Sequence, residues 1–245
     1  MRIVDVSTMV GPWGQQKLAF ETARELVQKM DHYGIDETYA YSPYALKVNP
    51  VDGNKLLAEQ LKGFEDRIKP CWVVIPTWDI ESRVPLETAL KENGVRMVRM
   101  MPNEHAYVLD TWVCGELYAM LSRNNIPVLF NNPDVTHGQL HAIANEYPNL
   151  KIIITQCEYQ QNRILYKLLE KHPNIYLEIS TYYIYNGVED IAKRFGAERM
   201  IFGSRMPFQE PGAALGMVML ADISSGEREK ILSGNIDALI KEVTA

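Results

Sequence analysis

At 245 residues, with 47% apolar and 23% charged side chains, the chain has the balance of a globular protein large enough to bury a sizeable core. A formal charge of −6 gives no general pull toward nucleic acid or an anionic membrane, and no apolar run approaches the ~18 residues of a membrane span. Cys71, Cys114 and Cys157 are odd in number, widely spaced and without a CxxC pair. They read as reduced thiols of a cytoplasmic protein rather than a disulfide framework or a zinc knuckle. The N-terminal MRIVDVSTMVG lacks the long apolar core of a signal peptide and reads as a strand.

Ile3–Val6 is the first expected strand, followed by a loop with Gly11, Pro12 and Gly14. From Gln15 to Tyr33, Leu18, Ala19, Ala23, Leu26, Val27 and Met30 recur at helical spacing, and Gly34 sits where a left-handed cap falls. Asp36–Tyr41 is the second strand, and a loop with Pro43, Pro50 and Gly53 leads to a helix over Asn54–Arg67. Trp72–Ile75, inside Pro70–Pro76, is a wholly apolar strand of the kind covered on its outer side. A helix over Glu81–Asn93, a strand over Val95–Met101 and a loop with Pro102, Asn103, Glu104 and His105 follow. Asp110 is placed to cap a helix carrying Val113, Leu117, Met120 and Leu121. Pro127–Phe130, Lys151–Thr155, Ile175–Ile179 and Met200–Phe202 complete the strands, with helices over His137–Tyr147, Glu158–Lys171 and Val188–Phe195 between them. Ser224 and Glu227 form a capping box for a final helix through Ile231, Leu232, Ile236, Leu239 and Ile240.

About eight strands each followed by a helix, with no repeat or linker, give an α/β fold: one (β/α)₈ TIM barrel over residues 1–245. An open doubly wound sheet is the alternative, disfavoured because no glycine-rich phosphate loop follows any strand. A barrel keeps its chemistry at the C-terminal strand ends. Here these carry Ser7, Met9, Thr77, Trp78, Arg99, Asn103, His105, Asn131, Asn132, Gln156, Glu158, Ser180, Tyr182, Tyr183 and Arg205. That ring is polar but poor in acids and bases.

Five segments carry a resemblance, IVDVSTMVG (3–11), NIPVLFNN (125–132), PNLKIIITQ (148–156), NIYLEISTYY (174–183) and RMIFGSRMP (199–207), and ILSGNIDALI (231–240) follows them as a closing helix. In order and spacing they resemble the amidohydrolase-related branch of the metal-dependent hydrolases, the group of aminocarboxymuconate semialdehyde decarboxylase and related lactone hydrolases. The resemblance implies an amidohydrolase-like barrel acting as a hydrolase or lyase on a small carboxylated or cyclic substrate. It also implies metal ligands that this chain replaces. An HxH motif becomes Ser7 and Met9, the histidines ending the fifth and sixth strands become Asn131 and Gln156, and the aspartate of FGSD-aromatic-P becomes Arg205. Hydroxyl, thioether and amide groups are poor substitutes for imidazole, and a guanidinium cannot ligate. The expectation is therefore no metal and no cofactor.

Catalysis, if retained, falls to His105 as acid–base and Arg205, with Asn131 and Gln156. The other class is an inactive descendant binding a small anion or serving as a partner subunit. Ser7, Met9, Arg99, Asn131, Gln156, Tyr182 and Arg205 line the expected ligand site. Each has a structural alternative: Arg205 in a salt bridge to Asp5, Glu158 or Glu178, Arg99 turned outward from its strand, His105 satisfied within its loop, and Tyr182, Tyr183 and Tyr185 as loop packing. Cys157 reads as a small buried residue, Glu158 as a helix N-terminal carboxylate, and His32, His137, His141 and His172 as surface or capping residues. The expected partner is a small anionic or carboxylated ligand, with neither nucleic acid nor membrane, and a homo-oligomer stays open.

Overall fold

A computed structural model describes residues 1–244. Its strands are β1 (Val4–Met9), β2 (Glu37–Tyr41), β3 (Ile68–Pro70), β4 (Trp72–Val73), β5 (Val98–Met100), β6 (Val128–Asn131), β7 (Ile152–Thr155), β8 (Ile175–Glu178) and β9 (Met200–Ile201). Every pairing is parallel, in two runs, β1-β2-β3 and β4 through β9 in sequence. β3 and β4 are halves of one barrel strand interrupted at Cys71, whose N–H still donates to Ala40 O at 2.8 Å while Trp72 N–H turns to Met97 O. Pro70 brings no N–H to the ladder, which is why the run breaks there. β9 returns to β1 through Val6 N–H to Phe202 O, Met9 N–H to Met206 O and a Thr8–Met206 bridge. The eight strand positions close into the barrel expected from the sequence.

The period of two along each strand divides the core into two layers. Val4, Val6, Val73, Met97, Leu129, Ile153 and Ile201 fill the barrel interior. Val98, Met100, Val128, Phe130, Ile152, Ile154 and Leu177 face the surrounding helices. At 0–1% exposure all of these are removed from water, each stabilising the fold by ~1.5–3 kcal/mol.

Element boundaries differ from the sequence reading where local capping overrides periodicity. The first helix spans Ala23–Tyr33 rather than starting at Gln15, because Thr22 and Glu25 make a capping box; Gly34 ends it at φ 68° as expected. Leu18 and Phe20 are buried from the preceding loop instead. The next long helix is Pro50–Leu61, with Asn49 capping and proline in the first turn, and is preceded by a short helix Pro43–Lys47. The two cross so closely that a Cβ at Gly53 would lie 2.1 Å from Ala45 N. Glu81–Asn93 resolves into Trp78–Ser82 and Leu86–Glu92, and the expected loop at Pro102–His105 is a helical turn. Asp110 stands at the N-cap of Thr111–Arg123 but makes no side-chain cap bond. The Ser224–Glu227 box forms, and it is preceded by a helix, Pro211–Met219, additional to those expected from the sequence.

Candidate functional site

β1 runs on to Met9, so Ser7 and Met9 lie within a strand rather than beyond its end, Ser7 inside a register irregularity between Asp5 and Thr8 and Met9 past it. Met9 is fully buried in the interior core, so the ligand contact expected of it gives way to packing. Ser7, 5% exposed, meets Arg99.

Arg99 shares the inward face of its strand with Met97 and Met101, and the outward orientation weighed for it does not occur. Its side chain is 1% exposed. Nη1 donates to Asn131 Oδ1 at 2.8 Å, Nη2 lies 3.5 Å from Ser7 Oγ, and the guanidinium carbon stands 4.7 Å from the Tyr41 ring centroid. Among the described residues no carboxylate comes within ion-pairing distance. Asn131 is used in full: it accepts from Arg99 and from Thr155 Oγ1 (2.8 Å) and donates to Asp134 Oδ2 (3.0 Å) and to Met101 Sδ (3.2 Å).

Two carboxylates lie inside the barrel wall, Asp5 within β1 and Glu178 as the last residue of β8, both at 0% exposure. Asp5 accepts from Ser7 N–H, Thr8 Oγ1 and both N–H and Oγ of Ser204. Glu178 accepts from Ser180 N–H (2.6 Å) and Oγ (2.9 Å). Burial raises both carboxyls above their ordinary range, against the pull of these hydrogen bonds. Glu178 is pushed up to about 7; Asp5 adds to the rise and Arg99 opposes it. A Cβ at position 203 would stand 2.2 Å from Glu178 Oε1, which explains the glycine of the MIFGSRMP stretch.

Arg205 follows two residues on, after Ser204. It occupies the left-handed region at φ 60°, is half-buried, and rests 5.9 Å from the Phe208 ring. The salt bridge weighed for it to Asp5, Glu158 or Glu178 does not form: the first is taken up by Ser204, the third by Ser180, and Glu158 starts its own turn. Among the described residues no ion pair involves Arg205. Burial raises the phenols of Tyr41 and Tyr183, and the charge of Arg205 opposes the rise at both. Gln156, at the end of β7, is likewise left-handed at φ 59°. A branched or long side chain there costs about 1–2 kcal/mol, and such strain gathers at functional positions.

The remaining candidates are placed elsewhere. Tyr182, expected at the ligand site, is instead fully buried in the outer core with its hydroxyl donating to Asn162 Oδ1, because its strand end turns it toward the helices. Tyr183 and Tyr185 are exposed at the rim. His105 Nε2 lies 3.1 Å from Ala45 O and so carries the hydrogen, clamping its turn to the helix Pro43–Lys47; burial holds the imidazole below the usual histidine range. Cys157 is buried and its thiol raised, the inert residue expected.

Beside the ends of β1 and β2 opens a cleft of about 580 Å³, mostly apolar, lined by Trp13, Tyr44, Lys47, Val48, Leu56 and Gln60 among others. Trp13 meets Phe208 edge-on at 5.5 Å, and Lys47 lies over Trp13 while pairing with Glu104 at 2.6 Å. Sequence reasoning treated these loops as connectors. The tryptophan set between Gly11-Pro12 and Gly14 was the available signal, as the inward alternation of Met97, Arg99 and Met101 was for Arg99.

A family model described as amidohydrolase matches residues 49–241. No protein of curated function matches the chain. Among solved structures, an uncharacterized TIM-barrel protein from Bordetella bronchiseptica is 18% identical, with a TM-score of 0.74 over 99% of each chain. The 2,6-dihydroxybenzoate decarboxylase from Rhizobium is 15% identical, with a TM-score of 0.77 over 98% of each chain. The 5-carboxyvanillate decarboxylase from Novosphingobium aromaticivorans, complexed with manganese, is 12% identical, with a TM-score of 0.78 over 98% of this chain and 96% of that one. At these identities the likeness is one of fold. Among the described residues no helix is long and apolar enough to cross a membrane.

Proposed function

The chain belongs to the amidohydrolase family, and on that footing we propose that it binds a small carboxylated ligand at the C-terminal mouth of its barrel through Arg205, without the divalent metal that the resemblance implies. One observation carries this reading: a half-buried guanidinium, held in a left-handed turn at the last strand end, has no carboxylate partner among the described residues. A planar fork of N–H donors fits a carboxylate two-pronged.

The donors at the ligand positions do not fit a divalent transition metal. Asn131 Oδ1 already accepts two hydrogen bonds, Ser7 Oγ faces a guanidinium, Met9 offers a thioether inside the core, and Arg205 stays protonated. Among the described residues no three His, Cys, Asp or Glu side chains gather into a metal-holding group. On this reading the chemistry of the site runs through its own cations and carboxyls.

A second reading, catalysis as a lyase, is favoured by Glu178, a carboxyl pushed up to about 7 near Arg99, and by the decarboxylases among similar folds. A group titrating near neutral pH is suited to proton transfer. Its complete burial places it behind the strand ends, so binding is the conclusion and catalysis the variant of it.

Calorimetric titration with benzoate, phthalate and malate tests the proposal, alongside elemental analysis of protein incubated with zinc and manganese and freed of excess. Saturable carboxylate binding that Arg205→Ala weakens, with no retained metal, is expected. About one tightly held metal per chain, or binding indifferent to Arg205, overturns it.

A further inference from the structure

Arg99 is an unusual occupant of a barrel interior. A buried cation ordinarily carries a carboxylate partner, because desolvating an ion costs several kcal/mol that only a close partner offsets. Arg99 is 1% exposed and, among the described residues, has none in contact. It is surrounded instead by side chains from four other strand positions: Ser7 of β1, Tyr41 of β2, Cys71 between β3 and β4, and Asn131 of β6. Two of these, Ser7 and Asn131, stand where the resemblance puts metal-binding histidines.

We propose that the Arg99 guanidinium is the barrel's resident cation, holding the converging strand ends as a metal ion holds them in metal-dependent relatives. This rests on the metal-free reading above. A divalent ion at that place attracts lone pairs from several strands to one positive centre. The guanidinium does the same with N–H donors: Nη1 takes the Asn131 amide oxygen, Nη2 points at the Ser7 hydroxyl, and the planar cation lies against the Tyr41 ring, whose electron-rich face attracts it. At longer range its charge acts on the neighbouring carboxyls, opposing the rise that burial imposes on Glu178 and on Asp134. Nε is buried without an acceptor, so the side chain is held by its two terminal nitrogens and its ring contact rather than by a complete shell. Met97 and Met101, flanking Arg99 on the same inward face, close the site above and below with apolar surface.

A centre of this kind has a chemical signature that simple packing lacks. Arg99→Ala leaves a gap shaped for a planar cation, and guanidinium chloride at low millimolar concentration can enter it, whereas urea has the same shape without charge. In thermal unfolding, guanidinium is expected to raise the midpoint of Arg99→Ala by several degrees and saturably, while urea and sodium chloride do not and the wild type gains nothing. If the variant is not recovered folded, its refolding yield in the presence of guanidinium or urea gives the same readout. Equal rescue by urea reduces Arg99 to a space-filling residue, and no rescue by either also overturns the proposal. The outcome is independent of the carboxylate titrations: failure of Arg205→Ala to weaken ligand binding, with guanidinium rescue intact, removes the ligand reading and leaves the resident cation standing.

Discussion

Two arginines meet the strand ends of this barrel, and they differ in almost every physical respect. Arg99 is enclosed, hydrogen-bonded across strands and stacked on Tyr41 in ordinary strand geometry. Arg205 is half-buried, in a left-handed turn, with an aromatic ring nearby and no ion pair among the described residues. The first uses its charge within the fold; the second keeps its charge available. Charge alone therefore does not mark a binding residue, and the partners already taken up do.

The comparison breaks most sharply through stability. Arg99→Ala opens a gap the size of a long side chain in the interior and leaves Asn131 short of a donor. In urea unfolding it is expected to cost about 3–5 kcal/mol, while Arg205→Ala stays within about 0.5 kcal/mol of wild type, as a half-buried side chain without an ion pair should. Equal losses at the two sites would erase the distinction.

The next effect is a pH dependence with its sign set by burial. Glu178 is raised in the fold to about 7 from its ordinary 4.5, so its neutral form is the one the fold favours. Its contribution is complete below the unfolded value and disappears as pH rises through about 7. Stability should fall across that window by about 3 kcal/mol, because each tenfold change in proton affinity between the folded and unfolded chain is worth about 1.4 kcal/mol. Asp5, raised in the same direction by burial, works with the same sign. Glu178→Gln should flatten the fall between pH 5 and 8, and an unchanged slope in that variant would assign the effect elsewhere.

Ligand affinity follows. Arg205→Ala should weaken carboxylate binding by about 1.5–3 kcal/mol, the scale of hydrogen bonds to a charged group, measured by calorimetric titration with benzoate, phthalate and malate. The smallest effect concerns backbone strain: Arg205→Asn places a residue that tolerates the left-handed region and should raise the unfolding free energy by up to about 1 kcal/mol while abolishing two-pronged binding. A variant that gains stability and keeps affinity would show that the guanidinium plays no part.

The sequence carried the fold well because a parallel barrel repeats one unit. Each apolar strand run and each helix reinforces the same reading, and errors at Gln15–Thr22 or Glu81–Asn93 shift boundaries without changing topology. The site was only half legible. Arg205 stood out because it interrupts a recognisable stretch, and Ser7, Asn131 and Gln156 because they replace residues the resemblance implies. Arg99 reads from the sequence as a ligand-site residue with an outward-facing alternative, since whether a side chain faces inward depends on strand register, which the alternation of Met97 and Met101 encodes but the short run Val98–Met100 barely displays. Tyr182 was misplaced for the complementary reason: beyond the strand end the period of two lapses, and the chain turned it to Asn162. Asp5 and Glu178 were considered only as partners of Arg205, because burial, which makes their carboxyls distinctive, is a property of the assembled barrel.

The way the barrel closes bears on how it would sense a ligand. β9 is a two-residue strand, and the return to β1 is completed by Val6 to Phe202, Met9 to Met206 and the Asp5–Ser204 bonds, all within three residues of Arg205 or their direct partners. The candidate site is thus the clasp of the cylinder rather than a basin resting on it. On the proposed reading, an anion seated on Arg205 would fasten the clasp, and the free energy of binding would go into keeping the first and last strands joined. Occupancy would then be read across the molecule as slower opening of one seam, with the middle strands unaffected.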